Sequence, residues 1–272
     1  MTVDDTQLQT EDLAVGYGKH LVLPQLDLAI NAGELVALVG PNGSGKSTLL
    51  KAMARLLRPR RGIVYLDGKS ISQYATLEVA RRLAILPQSH TSPAGLTVRE
   101  LVEQGRYPHS GPLRMLTRQD HAAIERALSL THMVALADRP VDTLSGGERQ
   151  RAWIALTLAQ DTPVLLLDEP TTYLDIGYQM EIMELIASLN SQHNITIVVV
   201  LHDLNQAARF ARRMVVLNQG RIVADGAPVD ILTPEIMARH FRINAAIYHD
   251  DVTNTPVFIP YQSVKSSDNG PS

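Results

Sequence analysis

One stretch constrains this chain more than any other: Gly40, Pro41, Asn42, Gly43, Ser44, Gly45, Lys46, Ser47, Thr48. It fits G-x-x-x-x-G-K-[ST], a loop whose backbone cradles phosphates. Glycines 40, 43 and 45 let N–H groups turn inward with no Cβ in the way. The mechanism needs a strand before the loop and a helix after it. Residues 35–39 are a short apolar run suited to a buried parallel strand, and 49–57 have helical spacing. The helix then turns the positive end of its dipole toward the phosphates. Lys46 is expected to reach the β- and γ-phosphates of a nucleoside triphosphate, and Ser47 to hold Mg2+. A plain glycine-rich turn before a helix is the alternative, and this context disfavours it.

The rest of the chain builds around that loop. Residues 8–15 and 21–30 alternate like half-buried strands, and Asn31-Ala32-Gly33 is a turn. Tyr17, between two glycines, offers a stacking platform for a base, though exposed turn tyrosines are commoner. Residues 58–62 read as a solvated basic turn, followed by a strand over 63–66. A strand over 83–86 ends at Gln88, within reach of a metal or an attacking water. The texture then changes. Thr97 and Glu100 make a capping box, Gly105 stops that helix, 106–116 is loop-like, and residues 117–120 open a helix to about 130. Residues 89–160 thus read as a helical insert.

Two more stretches carry chemistry. Leu144, Ser145, Gly146, Gly147 and Glu148 form a second glycine-rich turn opening a helix over 149–160. Ser145 and Glu148 are a capping box, and the same turn offers amides to an anion; the two readings coexist. The apolar run 164–167 ends at Asp168 and Glu169. Ligands in open α/β sheets bind beyond the carboxyl ends of strands. There Asp168 would organise Mg2+ and Glu169 would polarise water, with a solvated acidic turn as the alternative. Asp175 precedes a helix over 179–189. The strand 195–201 ends at His202, followed by Asp203 as a helix cap. A lone histidine is more often structural, yet this one shares the strand-end position of the other candidates. Residues 214–217 and 221–224 read as a hairpin, 233–235 as a helix start, and 246–248 with 256–259 as a terminal hairpin.

Composition excludes several classes. The 272 residues are 45% hydrophobic, enough for a large core, and the net charge of −3 argues against nucleic acid as the main partner. Without cysteine there is no disulfide or thiolate metal site. No apolar run approaches the roughly 20 residues that span a bilayer, and the polar N-terminus lacks a signal-peptide core. A soluble, cytoplasmic protein is expected.

Together these stretches resemble the ATP-binding subunit of ABC transporters, over nearly the whole chain. The resemblance implies an α/β fold: a P-loop NTPase core with a mainly parallel sheet, an N-terminal antiparallel β subdomain and an inserted helical subdomain. Residues 1–88 and 161–240 would be the core, 89–160 the helical subdomain, 241–261 a C-terminal extension and 262–272 a disordered tail. ATP and Mg2+ would be the cofactors. Tyr17 would stack on adenine, Gln88 would sit at the metal, residues 144–148 would be the signature motif, Asp175 the D-loop aspartate and His202 the switch histidine. Partners would be a second copy in a head-to-tail dimer, a transmembrane permease and, indirectly, an extracytoplasmic substrate-binding protein, with the chain peripheral on the cytoplasmic face of the inner membrane.

Within the family the chain looks most like iron–siderophore importers. That likeness rests on Gly105-Arg106-Tyr107-Pro108-His109, on residues 168–176 and on 201–207. Haem and vitamin B12 importers share much of the pattern. Glu148 stands where the signature usually has glutamine, and Tyr173 where the D-loop often has a small residue. A soluble ABC protein acting on ribosomes or DNA usually has two cassettes or a coiled-coil insert, and this chain has neither. A P-loop GTPase is disfavoured because no N-K-x-D stretch is present.

Overall fold

The run 35–39 is buried at all five positions, as a strand covered on both faces must be. The computed structural model describes residues 6–89, 94–110 and 115–264. In chain order, β1 (Thr6–Tyr17), β2 (His20–Leu23) and β3 (Leu28–Asn31) precede β4 (Leu35–Val39), and α1 (Lys46–Met53) follows the phosphate loop. β5 (Arg61–Leu66) and β6 (Lys69–Ser70) complete an antiparallel sheet of order β2-β1-β5-β6, with β3 also paired to β1. α2 (Thr76–Ala80) leads into β7 (Leu83–Leu86). The helical part holds α3 (Val98–Gln104), α4 (Tyr107–Ser110), α5 (Arg118–Leu130) and α6 (Gly146–Ala159). Then come β8 (Val164–Asp168), α7 (Ile176–His193), β9 (Thr196–Val200), α8 (Leu204–Phe210), β10 (Arg213–Asn218) and β11 (Arg221–Gly226). α9 (Pro228–Ile231), α10 (Pro234–Ile236), a π-turn (Met237–Phe241), β12 (Ile243–Asp250) and β13 (Thr255–Ser263) finish the described chain.

The main sheet has the order β11-β10-β4-β9-β8-β7. Its first pair is antiparallel and the other four are parallel. Parallel strands all end at one edge. This puts the loops after β4, β7, β8 and β9 side by side, and those loops carry the candidate residues. One apolar core joins the two sheets to α1 through Leu8, Leu38, Leu49 and Leu50; another packs α7 and α8 on the opposite face through Val39, Ile182 and Ile186. The helical part has its own core around Leu101, Ile124 and Ala155. Each fully buried Leu or Ile side chain is worth roughly 1.5–3 kcal/mol.

Several boundaries differ from the sequence reading. The expected strand over 21–30 is two strands, because Pro24 has no N–H for a ladder and Leu26 O instead accepts from Leu13 N and Thr10 Oγ1. α1 begins at Lys46 and ends at Met53 rather than running 49–57. The loop 106–116 contains the single turn α4. α7 runs past both ends of 179–189, because Asp175 caps it at Tyr178 N and Asn194 ends it at φ 53°. The expected tail begins inside β13, so Gln262 and Ser263 are strand residues; residues 265–272 lie outside the described residues.

A buried ion pair ties the helical part together. Arg106 Nε donates to Asp120 Oδ1 at 2.8 Å and Arg106 Nη1 donates to Ala159 O at 2.7 Å, with the two side chains 6% and 4% exposed. Burial alone would raise the Asp120 carboxyl. The Thr117 hydroxyl and amide, with the Arg106 guanidinium, outweigh it and hold the pKa at about 2. A carboxyl depressed in the folded state contributes stability that is present above its unfolded value near 3.8 and is lost as pH falls toward 2. Asp120→Ala strands a buried guanidinium and is expected to destabilise by about 3 kcal/mol at pH 7. Urea unfolding from pH 7 down to 3 checks this: the gap between wild type and variant should narrow below pH 4.

Candidate nucleotide site

The loop between β4 and α1 is shaped by its glycines at one decisive point. Gly45 caps α1 at φ 106°, and a Cβ there would lie 2.5 Å from Leu23 Cδ2. Lys46 bridges the loop: its Nζ donates to Gly40 O at 2.8 Å and to Pro41 O at 3.0 Å. Burial lowers the Lys46 pKa, while Glu169 and then Asp168 hold it up. The Ser44 hydroxyl is buried with no hydrogen-bond partner among the described residues. A buried, unpartnered donor beside a buried ammonium suits an anion held by the loop. Ser47 Oγ donates to Asp168 Oδ1 at 2.8 Å, so two residues 121 positions apart meet at the loop's end.

Asp168 is 2% exposed, and burial raises its pKa against the opposing Ser47 hydroxyl. A carboxylate ionised at that cost favours a neighbouring cation. Glu169 sits at φ 55°, a region that L side chains rarely adopt, immediately before Pro170, which disfavours a right-handed helical conformation at this position. The turn aims its carboxylate at the strand ends. Gln88 Nε2 donates to Glu169 Oε2 at 2.6 Å, and Thr172 Oγ1 donates to the same oxygen at 3.2 Å. His202 Nε2 lies 2.6 Å from Glu169 Oε1. Gln88 therefore bonds to Glu169 rather than to Ser47 or Asp168.

A cavity of about 320 Å3 opens at the phosphate loop, lined by residues 42–48, Glu169, His202, His20 and Val22 but not by Gln88 or Asp168. His20 and Val22 were not singled out by the sequence. The available signal was their place beside Tyr17, whose Cα partner across the β1–β2 pairing is His20. Tyr17 is 48% exposed at the end of β1 and does not line the cavity.

Residues 144–148 and Asp175 stand apart from this cavity but close to each other. Ser145 N donates to Glu148 Oε2 at 2.8 Å and Glu148 N donates to Ser145 Oγ at 3.3 Å, so the capping box forms. These bonds, the Ser145 amide first, lower the Glu148 pKa. Gly147 packs on Tyr178: a Cβ would come within 2.3 Å of the ring. Tyr178 N in turn donates to Asp175 Oδ1 at 3.0 Å. Sequence gave no sign that Tyr178 links these two motifs. Leu144 is buried in the helical core.

The profile of the family described as ABC transporter matches residues 23–172 of this chain. The chain belongs to the ABC transporter family. Its enzymatic activity is ATP hydrolysis. It is 47% identical over 260 residues to "Ferric enterobactin transport ATP-binding protein FepC" of Escherichia coli (strain K12), covering 96% of each chain. It is 46% identical over 259 residues to "Iron(3+)-hydroxamate import ATP-binding protein FhuC" of Bacillus subtilis (strain 168), covering 95% of this chain and 96% of that one. Among solved structures it resembles the "Dimeric Structure of MJ0796, a Bacterial ABC Transporter Cassette", with TM-score 0.71 and 29% identity over 81% of this chain and 98% of that one. Among the described residues, no helix is long and apolar enough to cross a membrane.

Proposed function

We propose that this cassette powers uptake of an iron–siderophore complex through a separate transmembrane permease. The observation that carries the catalytic part is the Glu169 carboxylate, gripped at one oxygen by Gln88 and Thr172 and at the other by His202, at the mouth of the phosphate loop. Lys46, Ser44 and the loop amides bind and orient the phosphates of ATP. Glu169 positions the attacking water and takes up its proton, and His202 holds Glu169 in place. Gln88 reports occupancy of the site to the helical part. Mg2+ fits the hydroxyl–carboxylate pair Ser47–Asp168: among the described residues no three His, Cys, Asp or Glu side chains are grouped to hold a metal, and Mg2+ characteristically combines one or two carboxylates with substrate phosphates. When bound it neutralises charge on the phosphates.

The anion-binding turn 144–148 lies away from its own chain's phosphate loop, so its natural ligand is the nucleotide of a second copy in a head-to-tail dimer. Residues 1–88 and 161–240 act as the nucleotide-binding core and 89–160 as the lever facing the permease. The extension begins near 241 and includes β13 through Ser263. The assembly sits peripherally on the cytoplasmic face of the inner membrane, supplied by an extracytoplasmic binding protein.

Cells lacking this chain test the substrate. Uptake of radiolabelled iron bound to a hydroxamate or catecholate siderophore should be lost, restored by wild type and not by Glu169→Gln. Loss of haem or vitamin B12 uptake with siderophore uptake intact would favour those cargoes instead. Tyr17→Ala is expected to weaken ATP binding by about 1–3 kcal/mol, the worth of one base stacked on an aromatic ring, with Tyr17→Phe much milder. Titration calorimetry of both variants checks it, and wild-type affinity in both would make Tyr17 only a strand-end residue.

A further inference from the structure

A separate cavity of about 600 Å3 lies where the β10–β11 turn meets the C-terminal extension. Pro41 and Asn42 of the phosphate loop form part of its wall, and Asn42 lines the nucleotide cavity as well. Arg221 faces it from the start of β11, and Arg239 and Arg242 from the π-turn and its end. None of these three side chains makes a hydrogen bond or ion pair among the described residues. Some other arginines of the chain are paired: Arg61, Arg82, Arg106 and Arg213 each hold a carboxylate. In a chain with 28 acidic and 25 basic residues, three unpaired guanidiniums around one cavity leave a local excess of positive charge. The field is felt by its neighbours, since burial and then the charge of Arg239 push His240 below the ordinary imidazole value. Two lining residues, Gln219 at φ 48° and Arg242 at φ 59°, hold left-handed backbone. Phe241 and Val223 supply an apolar wall.

Guanidinium forks match phosphate oxygens in pairs, and three of them balance about three negative charges. A cavity of this volume is far larger than one phosphate ion and suits a small molecule with a flat apolar part. We propose that this cavity is a second ligand site for a nucleoside diphosphate, with its phosphates on Arg221, Arg239 and Arg242 and its ring against Phe241. The site is distinct from the one built on Lys46, yet touches the same loop.

Equilibrium dialysis of the full chain with radiolabelled GDP tests this, with the phosphate loop kept saturated by Mg2+ and the non-hydrolysable analogue AMP-PNP. About one GDP per chain should be retained, and Arg239→Ala/Arg242→Ala should lower its affinity at least about tenfold. AMP-PNP binding, read in the same cells, should be unchanged in that exposed double variant, which separates a failure of this site from a failure of the nucleotide site. No retained GDP, retention unaffected by the double variant, or displacement of GDP as AMP-PNP is raised would each overturn the proposal. Inorganic phosphate binding as tightly as GDP would overturn the assignment of a ring to Phe241.

Discussion

Glu169→Gln should bind Mg-ATP and hydrolyse it about 10²–10⁴-fold more slowly than wild type, the usual worth of a general base, or slower still. The variant keeps size and one carbonyl oxygen while removing the charge. Its contacts to Gln88, Thr172 and His202 lie within the protein, so ground-state binding of ATP is largely preserved. Asp168→Asn should behave differently. It removes the charge beside Ser47 and should weaken metal-dependent ATP binding as well as turnover. Phosphate release and nucleotide binding measured on both variants separate the two carboxylates. Normal turnover in Glu169→Gln would mean that the catalytic carboxylate lies elsewhere.

Lys46→Ala should abolish measurable hydrolysis and lower ATP affinity about a hundredfold or more. A charge-assisted hydrogen bond is worth about 1.5–3 kcal/mol, and a terminal ammonium can donate more than one to phosphate oxygens. The nucleotide-free protein should not suffer in the same way. Burial already disfavours the charged form of Lys46, so its removal relieves a desolvation cost while losing two bonds to loop carbonyls. Thermal unfolding without nucleotide should therefore stay near wild type, while the stabilisation that ATP confers on wild type disappears. Near-normal turnover in Lys46→Ala would sink the assignment of the loop.

Much of this arrangement was legible in the sequence because it rests on local patterns. The strands β4, β8 and β9 are apolar except for Asp168 at the end of β8 and Thr196 at the start of β9, which marks both-face burial without any knowledge of neighbours. The capping boxes at Thr97, Thr117 and Ser145 need only residues three apart. The convergence of residues 40–48, 88, 168–169 and 202 follows once those strands run parallel, because their ends then share one edge. The role of Asp175 came from family resemblance alone, while Tyr17 and Gln88 were candidates by their positions and the resemblance decided between their readings.

What escaped the sequence depends on distant partners. Pro24 splits a strand whose alternation otherwise looked continuous. Arg106 reads as a loop residue until Asp120 and Ala159 close around it. Tyr178 looks like an ordinary helix residue until Gly147 packs on its ring. His20 and Val22 join the site only because β2 folds back beside the phosphate loop.

Two copies of this chain are proposed to complete each other's sites around ATP. Size-exclusion chromatography of Glu169→Gln with and without Mg-ATP tests it most directly. Glu169→Gln should run as a monomer without nucleotide, as a dimer with Mg-ATP, and as a monomer again when Ser145→Arg is added, since the exposed signature turn would then carry a bulky side chain where the partner's γ-phosphate is proposed to sit. A protein that stays monomeric at saturating Mg-ATP, or a dimer untouched by Ser145→Arg, would contradict it.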